Sequence, residues 1–98
     1  MTFAQHLTED RRLVILRLLE QAPDYCGNAY LLHSALPDFG HSVGLDRLQT
    51  DLAWLDEQGL AKLTTVAGVS IAQLTPRGAD VAHGRATVPG VKRPLPGA

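Results

Sequence analysis

The sequence predicts an α+β fold, mostly helical, in which three helices are followed by a two-stranded hairpin and a short closing helix. Three observations carry the prediction. Leu45, Leu48, Leu52 and Leu55 repeat with the three-four-three spacing of one buried helical stripe, and Gly59 stands where such a helix would stop. "LAKLTTV" and "VSIAQLT" are rich in Val, Ile and Thr and meet at Ala67-Gly68, a link of hairpin length. Pro23 and Pro37 each follow an apolar helical run and so divide the N-terminal half into separate helices.

Thr2 and Gln5 have the form of a capping box, with Thr8, Glu9 and Asp10 a second start signal, so the first helix is expected from the very beginning to about Gln21. Within it "LVILRLL" (13–19) is apolar at every position but Arg17 and wraps the whole circumference. Either the helix is central and covered by its own neighbours, or Val14 and Leu18 form a second face that pairs with another copy. Asp24-Tyr25-Cys26-Gly27 is a link with room for a short strand. Asn28 caps a second helix to about Leu36. Ser42 is the expected N-cap of the third, from about Val43 to Gln58. Thr75-Pro76 opens a short helix to about Arg85. The domain is therefore placed at 1–85. Residues 86–98, with three Pro and two Gly in "TVPGVKRPLPGA", are expected as an extended basic tail whose removal leaves the fold intact.

The 98 residues suit one domain, and 45% apolar content suits a globular core built from Leu, Val, Ile and Ala. A lone Cys26 fits a reducing compartment. No run is long enough to span a membrane and no secretion signal opens the chain, so a cytoplasmic protein without membrane contact is expected. Charge is uneven. Residues 1–59 set four arginines against nine acids, and residues 60–98 set five cations against Asp80. Such asymmetry fits either nucleic-acid contact by the basic part or attraction between copies.

The order of elements, "LAWLDEQGL" (52–60) and "LTPRG" (74–78) after the hairpin together resemble the winged helix-turn-helix superfamily of bacterial regulators, in particular its MarR-like and PadR-like branches. "EDRRLVILRLL", "TDLAWLDEQGL" and "GRATVPGVKRP" are similar to small proteins of Mu-like prophages, sometimes labelled ArsR-like. The resemblance implies a winged helix-turn-helix fold with a two-stranded wing and a phage or prophage protein of the host cytoplasm. Genes of that group tend to lie in the packaging and head region, which favours an assembly role.

ArsR-type metal sensing needs paired thiolates, and one cysteine cannot supply them. Cys26, His33, Asp38 and His41 follow no zinc spacing. There is no phosphate loop, nucleophile elbow or paired-histidine helix, so neither an enzyme nor a cofactor is expected. Double-stranded DNA is the leading partner. Ser42, Arg47, Gln49 and Thr50 on or before the third helix, Lys62 on the wing, and Arg85, Lys92 and Arg93 beyond it are the candidate contacts. Against DNA, the third helix sets Arg47 alone against Asp46, Asp51, Asp56 and Glu57. The alternative is a module that docks another phage protein, with Trp54 either slotted into the core or exposed as its anchor.

Overall fold

The computed structural model describes residues 1–96. Helix α1 (Phe3–Gln21) starts at the Thr2–Gln5 capping box, both hydrogen bonds of which are present, and ends at Ala22, one residue before Pro23. A 3-10 turn, Pro23–Tyr25, leads into strand β1 (Cys26–Asn28). Asn28 then caps α2 (Ala29–Ala35), its side-chain oxygen accepting from the Leu31 N–H at 2.8 Å. A second 3-10 turn, Leu36–Phe39, closes at Gly40 in the left-handed region.

Helix α3 (Leu45–Glu57) begins later than Ser42 predicts. Ser42 is exposed and caps nothing; Gly44 is the N-cap. The reason lies in the preceding loop. His41 is buried and its Nε2 donates to Asp10 at 2.7 Å, while His33 Nε2 donates to the Val43 carbonyl at 2.8 Å. The two contacts hold residues 41–43 extended across α1 and α2, and the helix starts only beyond them. At the other end the prediction holds. Gly59 is left-handed (φ 73°), and the N–H groups of Gly59 and Leu60 return to the carbonyls of Asp56 and Leu55. This is the Schellman arrangement.

Strands β2 (Ala61–Val66) and β3 (Val69–Leu74) form the expected hairpin, with both turn residues, Ala67 and Gly68, at positive φ as a right-twisted two-residue turn requires. The sheet is not two-stranded, however. β1 pairs antiparallel with β3, Cys26 opposite Gln73 and Asn28 opposite Ile71, so the order is β1-β3-β2. Helix α4 (Pro76–Ala82) is shorter than expected. The Thr75 hydroxyl accepts from Gly78 N–H and donates to the Gly59 carbonyl at 2.7 Å, tying the start of α4 to the end of α3. Gly78 lies so close to the Leu60 carbonyl that a Cβ there would stand 2.0 Å from it. The glycine of "LTPRG" is therefore a packing requirement.

The core lies between α1, α2, α3 and one face of the sheet, with Ile15, Leu16, Leu19, Leu36, Leu48 and Leu52 fully enclosed. The stretch after α4 is no free tail. Val88 and Val91 are buried in the same core, and the Lys92 N–H donates to the Glu9 carbonyl of α1 at 3.1 Å. Residues 86–92 thus form a strap across α1.

Candidate interaction surface

At about 100° per residue, the outward centre of α3 is set by Asp46, Thr50, Ala53 and Glu57, which share a sector of roughly 60° and are all exposed. Two carboxylates flank two small residues there, and no cation lies among them. Arg47 is exposed, but falls on the flank nearer Trp54. Gln49 is half-buried on the opposite flank, next to exposed Asp56. The Thr50 hydroxyl donates to the Asp46 carbonyl in the preceding turn.

Asp51 is not a surface acid. It is 1% exposed and bonded to Nε of Arg11, itself 4% exposed, with Arg12 Nε 3.4 Å from its other oxygen. Burying a carboxylate is costly unless cations and hydrogen bonds compensate, and here two arginines of α1 do so. Trp54 is half-buried, so it is no free anchor. Arg12 stacks on its ring at 3.9 Å, and Gly90 of the strap lies against its far edge, where a Cβ would be 2.6 Å from the indole. Arg12 also donates to the Gly90 carbonyl at 3.1 Å. The third helix, the first helix and the strap are thus joined by one polar seam.

The cations predicted to contact DNA fall into two sets. Arg85 pairs with Asp80 at 2.9 Å and Lys92 with Asp10 at 3.3 Å, so both charges are already balanced. Arg47 on α3, Lys62 on β2 and Arg93 beyond the strap are exposed and have no ion-pair partner among the described residues. The same is true of Arg77 on α4, which sequence reasoning left out. At Asp10, burial works to raise the carboxyl pKa. The hydrogen bonds from His41 and Lys92, with their charges, outweigh it and hold the group below its ordinary value.

Of the four residues weighed as metal ligands, His33 and His41 are occupied by the carbonyl and carboxylate contacts above, Cys26 lies in β1, and Asp38 is exposed in the turn after α2. Among the described residues no cluster of three or more His, Cys, Asp or Glu is placed to share an ion. No helix among them is long and apolar enough to cross a membrane.

Val14 and Leu18 are half-buried at the edge of the core. With Phe39, Arg93, Pro94 and Leu95 they line an open groove of about 830 Å³ along the second half of α1.

No family model matches the chain. It is 47% identical over 90 residues to the uncharacterized protein gp26 of Escherichia phage Mu, covering 92% of this chain and 93% of that protein. It is 37% identical over 78 residues to an uncharacterized protein of Haemophilus influenzae, covering 79% and 76% of the two chains. Similarity of this extent, over nearly the whole of both chains, is more than a shared architecture: the chain belongs to the family of the phage Mu protein gp26.

Proposed function

We propose that this protein is a phage adaptor of winged-helix type, which uses the outward face of α3 to dock a basic segment of another phage protein. The order of three helices, hairpin and closing helix supports the winged-helix reading, with β1 as a third strand beside the wing. The observation that carries the docking role is the centre of the α3 face. Asp46 and Glu57 are about three turns apart on either side of Thr50 and Ala53, a shallow surface that a Lys- or Arg-bearing helix or strand can approach closely. A phosphate backbone meeting the same surface would face two like charges with nothing between them to offset the repulsion.

Duplex DNA remains a second reading, favoured by Arg47, Lys62 and Arg93, which have no ion-pair partner among the described residues. If those three served in a dimer, six phosphates would be neutralised and the log–log salt slope would be about −5. A titration with duplex at about 50 mM salt and tens of micromolar protein separates the two. The adaptor reading expects no binding by the natural chain. It also expects a Lys/Arg-rich peptide to bind, and to be released by Asp46→Lys with Glu57→Lys, while that same pair confers affinity for duplex. Tight duplex binding by the natural chain with a slope near −5 would replace the adaptor reading with the DNA one.

A further inference from the structure

The sheet ends in two edges of unequal kind. β1 is three residues long, while β2 runs for six and pairs with β3 alone, in an unbroken register from Ala61 opposite Leu74 to Val66 opposite Val69. The turn fixes which way its backbone points. Only Ala67 and Gly68 separate Val66 from Val69, so those two exchange both hydrogen bonds. The alternation of an antiparallel ladder then gives the same role to Thr64 with Ile71 and to Lys62 with Gln73. The N–H and C=O groups of Ala61, Leu63 and Thr65 therefore point away from β3. Ala61 is buried at the α3 end of the strand. Leu63 is half-buried and Thr65 exposed, and no hydrogen bond from the described residues reaches the outward backbone groups of either.

An edge of this kind is commonly blunted by a proline, a bulge or several charges. β2 has no proline, its register carries no bulge, and Lys62 is its one charge. We propose that the free edge of β2 takes up an extended segment of another protein as a fourth strand, with an apolar side chain opposite Leu63 and a carboxylate opposite Lys62. A row of alternating donors and acceptors selects a strand, because a helix has already used its own backbone groups and can return none of them. Leu63 and Thr65 present that row over roughly 7 Å of the strand.

The side chains narrow the choice further. Successive residues of β2 face opposite sides of the sheet. Ala61, Leu63 and Thr65 share the core side with buried Ala72 and Leu74 of β3. Leu63 packs against that core without being enclosed by it, so an apolar neighbour on an added strand would cover it. Lys62 and Thr64 face outward. Across from Lys62 on β3 stands neutral Gln73, and Lys62 has no ion-pair partner among the described residues, so its complement falls to the other flank. A second copy is a poorer occupant. Ala61–Val66 contains no acid, and β2 against its own copy would set two uncompensated lysines on one face of the joint sheet. The proposal is independent of what α3 binds.

The probe is a peptide of about nine residues that alternates Val and Thr, with one central Thr replaced by Glu. Titrated into the full chain and followed by amide NMR, it is expected to bind with a Kd on the order of 100 micromolar. It should protect the Leu63 and Thr65 N–H groups from exchange, whereas those of Lys62 and Thr64 are protected with or without it. The same peptide, N-methylated on the backbone nitrogens that would face β2, is expected not to bind. Thr65→Pro removes an N–H that the β2–β3 ladder does not use, so the fold should persist while peptide affinity falls about tenfold or more. Lys62→Glu, at an exposed position, should weaken the Glu peptide about fivefold and favour its counterpart with Lys in place of Glu. No binding at about 1 mM peptide, equal binding by the N-methylated copy, or an affinity unmoved by both Thr65→Pro and Lys62→Glu would each overturn the proposal. So would a dimer in sedimentation equilibrium that Thr65→Pro dissociates, since the edge would then belong to a second copy.

Discussion

At Asp51 a residue that looks like a solvent-facing acid is a buried counter-ion. On the helical wheel of α3 it lies about 40° from Leu55, at the border of the leucine stripe, whereas Asp46 and Glu57 lie on the opposite side; what encloses it there is Arg11 and Arg12, about forty residues earlier. The consequence is measurable. Asp51→Asn, which on the sequence alone would relieve repulsion on a surface helix, should instead destabilise the fold by about 3–5 kcal/mol, because Arg11 is left charged and enclosed. Chemical denaturation of the variant checks this, and Asp46→Asn, at an exposed position, should change stability by less than about 0.5 kcal/mol. Asp10 gives the chain an acid-sensitive point. Its pKa is depressed in the folded state, so the contribution it makes is present above its unfolded pKa of about 3.8 and is lost as pH falls below that toward the folded value. Thermal unfolding followed from pH 5 downward should show a limb that flattens in Asp10→Asn. Lys92→Ala should bring the Asp10 carboxyl pKa, read by NMR, up toward the ordinary value.

Among the elements, those set by neighbours in sequence were legible and those set by distant pairing were not. The α1 capping box, the Asn28 and Thr75 caps, the Gly59 stop and the Ala67-Gly68 turn all depend on contacts within a few residues, and each is where the sequence indicates. β1 is three residues long, too short for any periodicity, and exists because Cys26–Asn28 meets β3 some forty-five positions later. Ser42 has the right chemistry for a cap but is overruled by His33 and His41, whose partners lie on other elements. The face of α3 divides the same way. Exposure of Arg47 and Thr50 followed from the leucine spacing, whereas the enclosure of Trp54 required Arg12 and Gly90. At the junction of α3 and α4, Gly78→Ala should destabilise by several kcal/mol, since the obstacle is the Leu60 backbone, which cannot rotate aside as a side chain could. A fall in denaturation midpoint with little change in slope would be the expected result.

Over the whole molecule the strap closes the chain on itself. Arg12 with Gly90 and Asp10 with Lys92 join positions 78 and 82 residues apart. A composition of proline, glycine and cations reads as a solvated tail, and the sequence carries only Val88 and Val91 as hints that it is held. Deleting residues 86–98 removes those two valines from the core and uncovers one edge of Trp54, so it should lower stability by about 3 kcal/mol or more, with a drop in Tm above about 10 °C for a chain of this size. An unchanged melting curve would show the strap to be dispensable. The arrangement also bears on timing. The helices and the hairpin can form as soon as each has left the ribosome, because their contacts are near in sequence, whereas the seam between α1 and α3 waits for Gly90. The walls of the groove beside Leu18 wait longer still, for Pro94 and Leu95. Until Gly90 has been made, the indole edge of Trp54 and the guanidinium of Arg12 that stacks on it stay open to water, so the seam is the last part of the core to close.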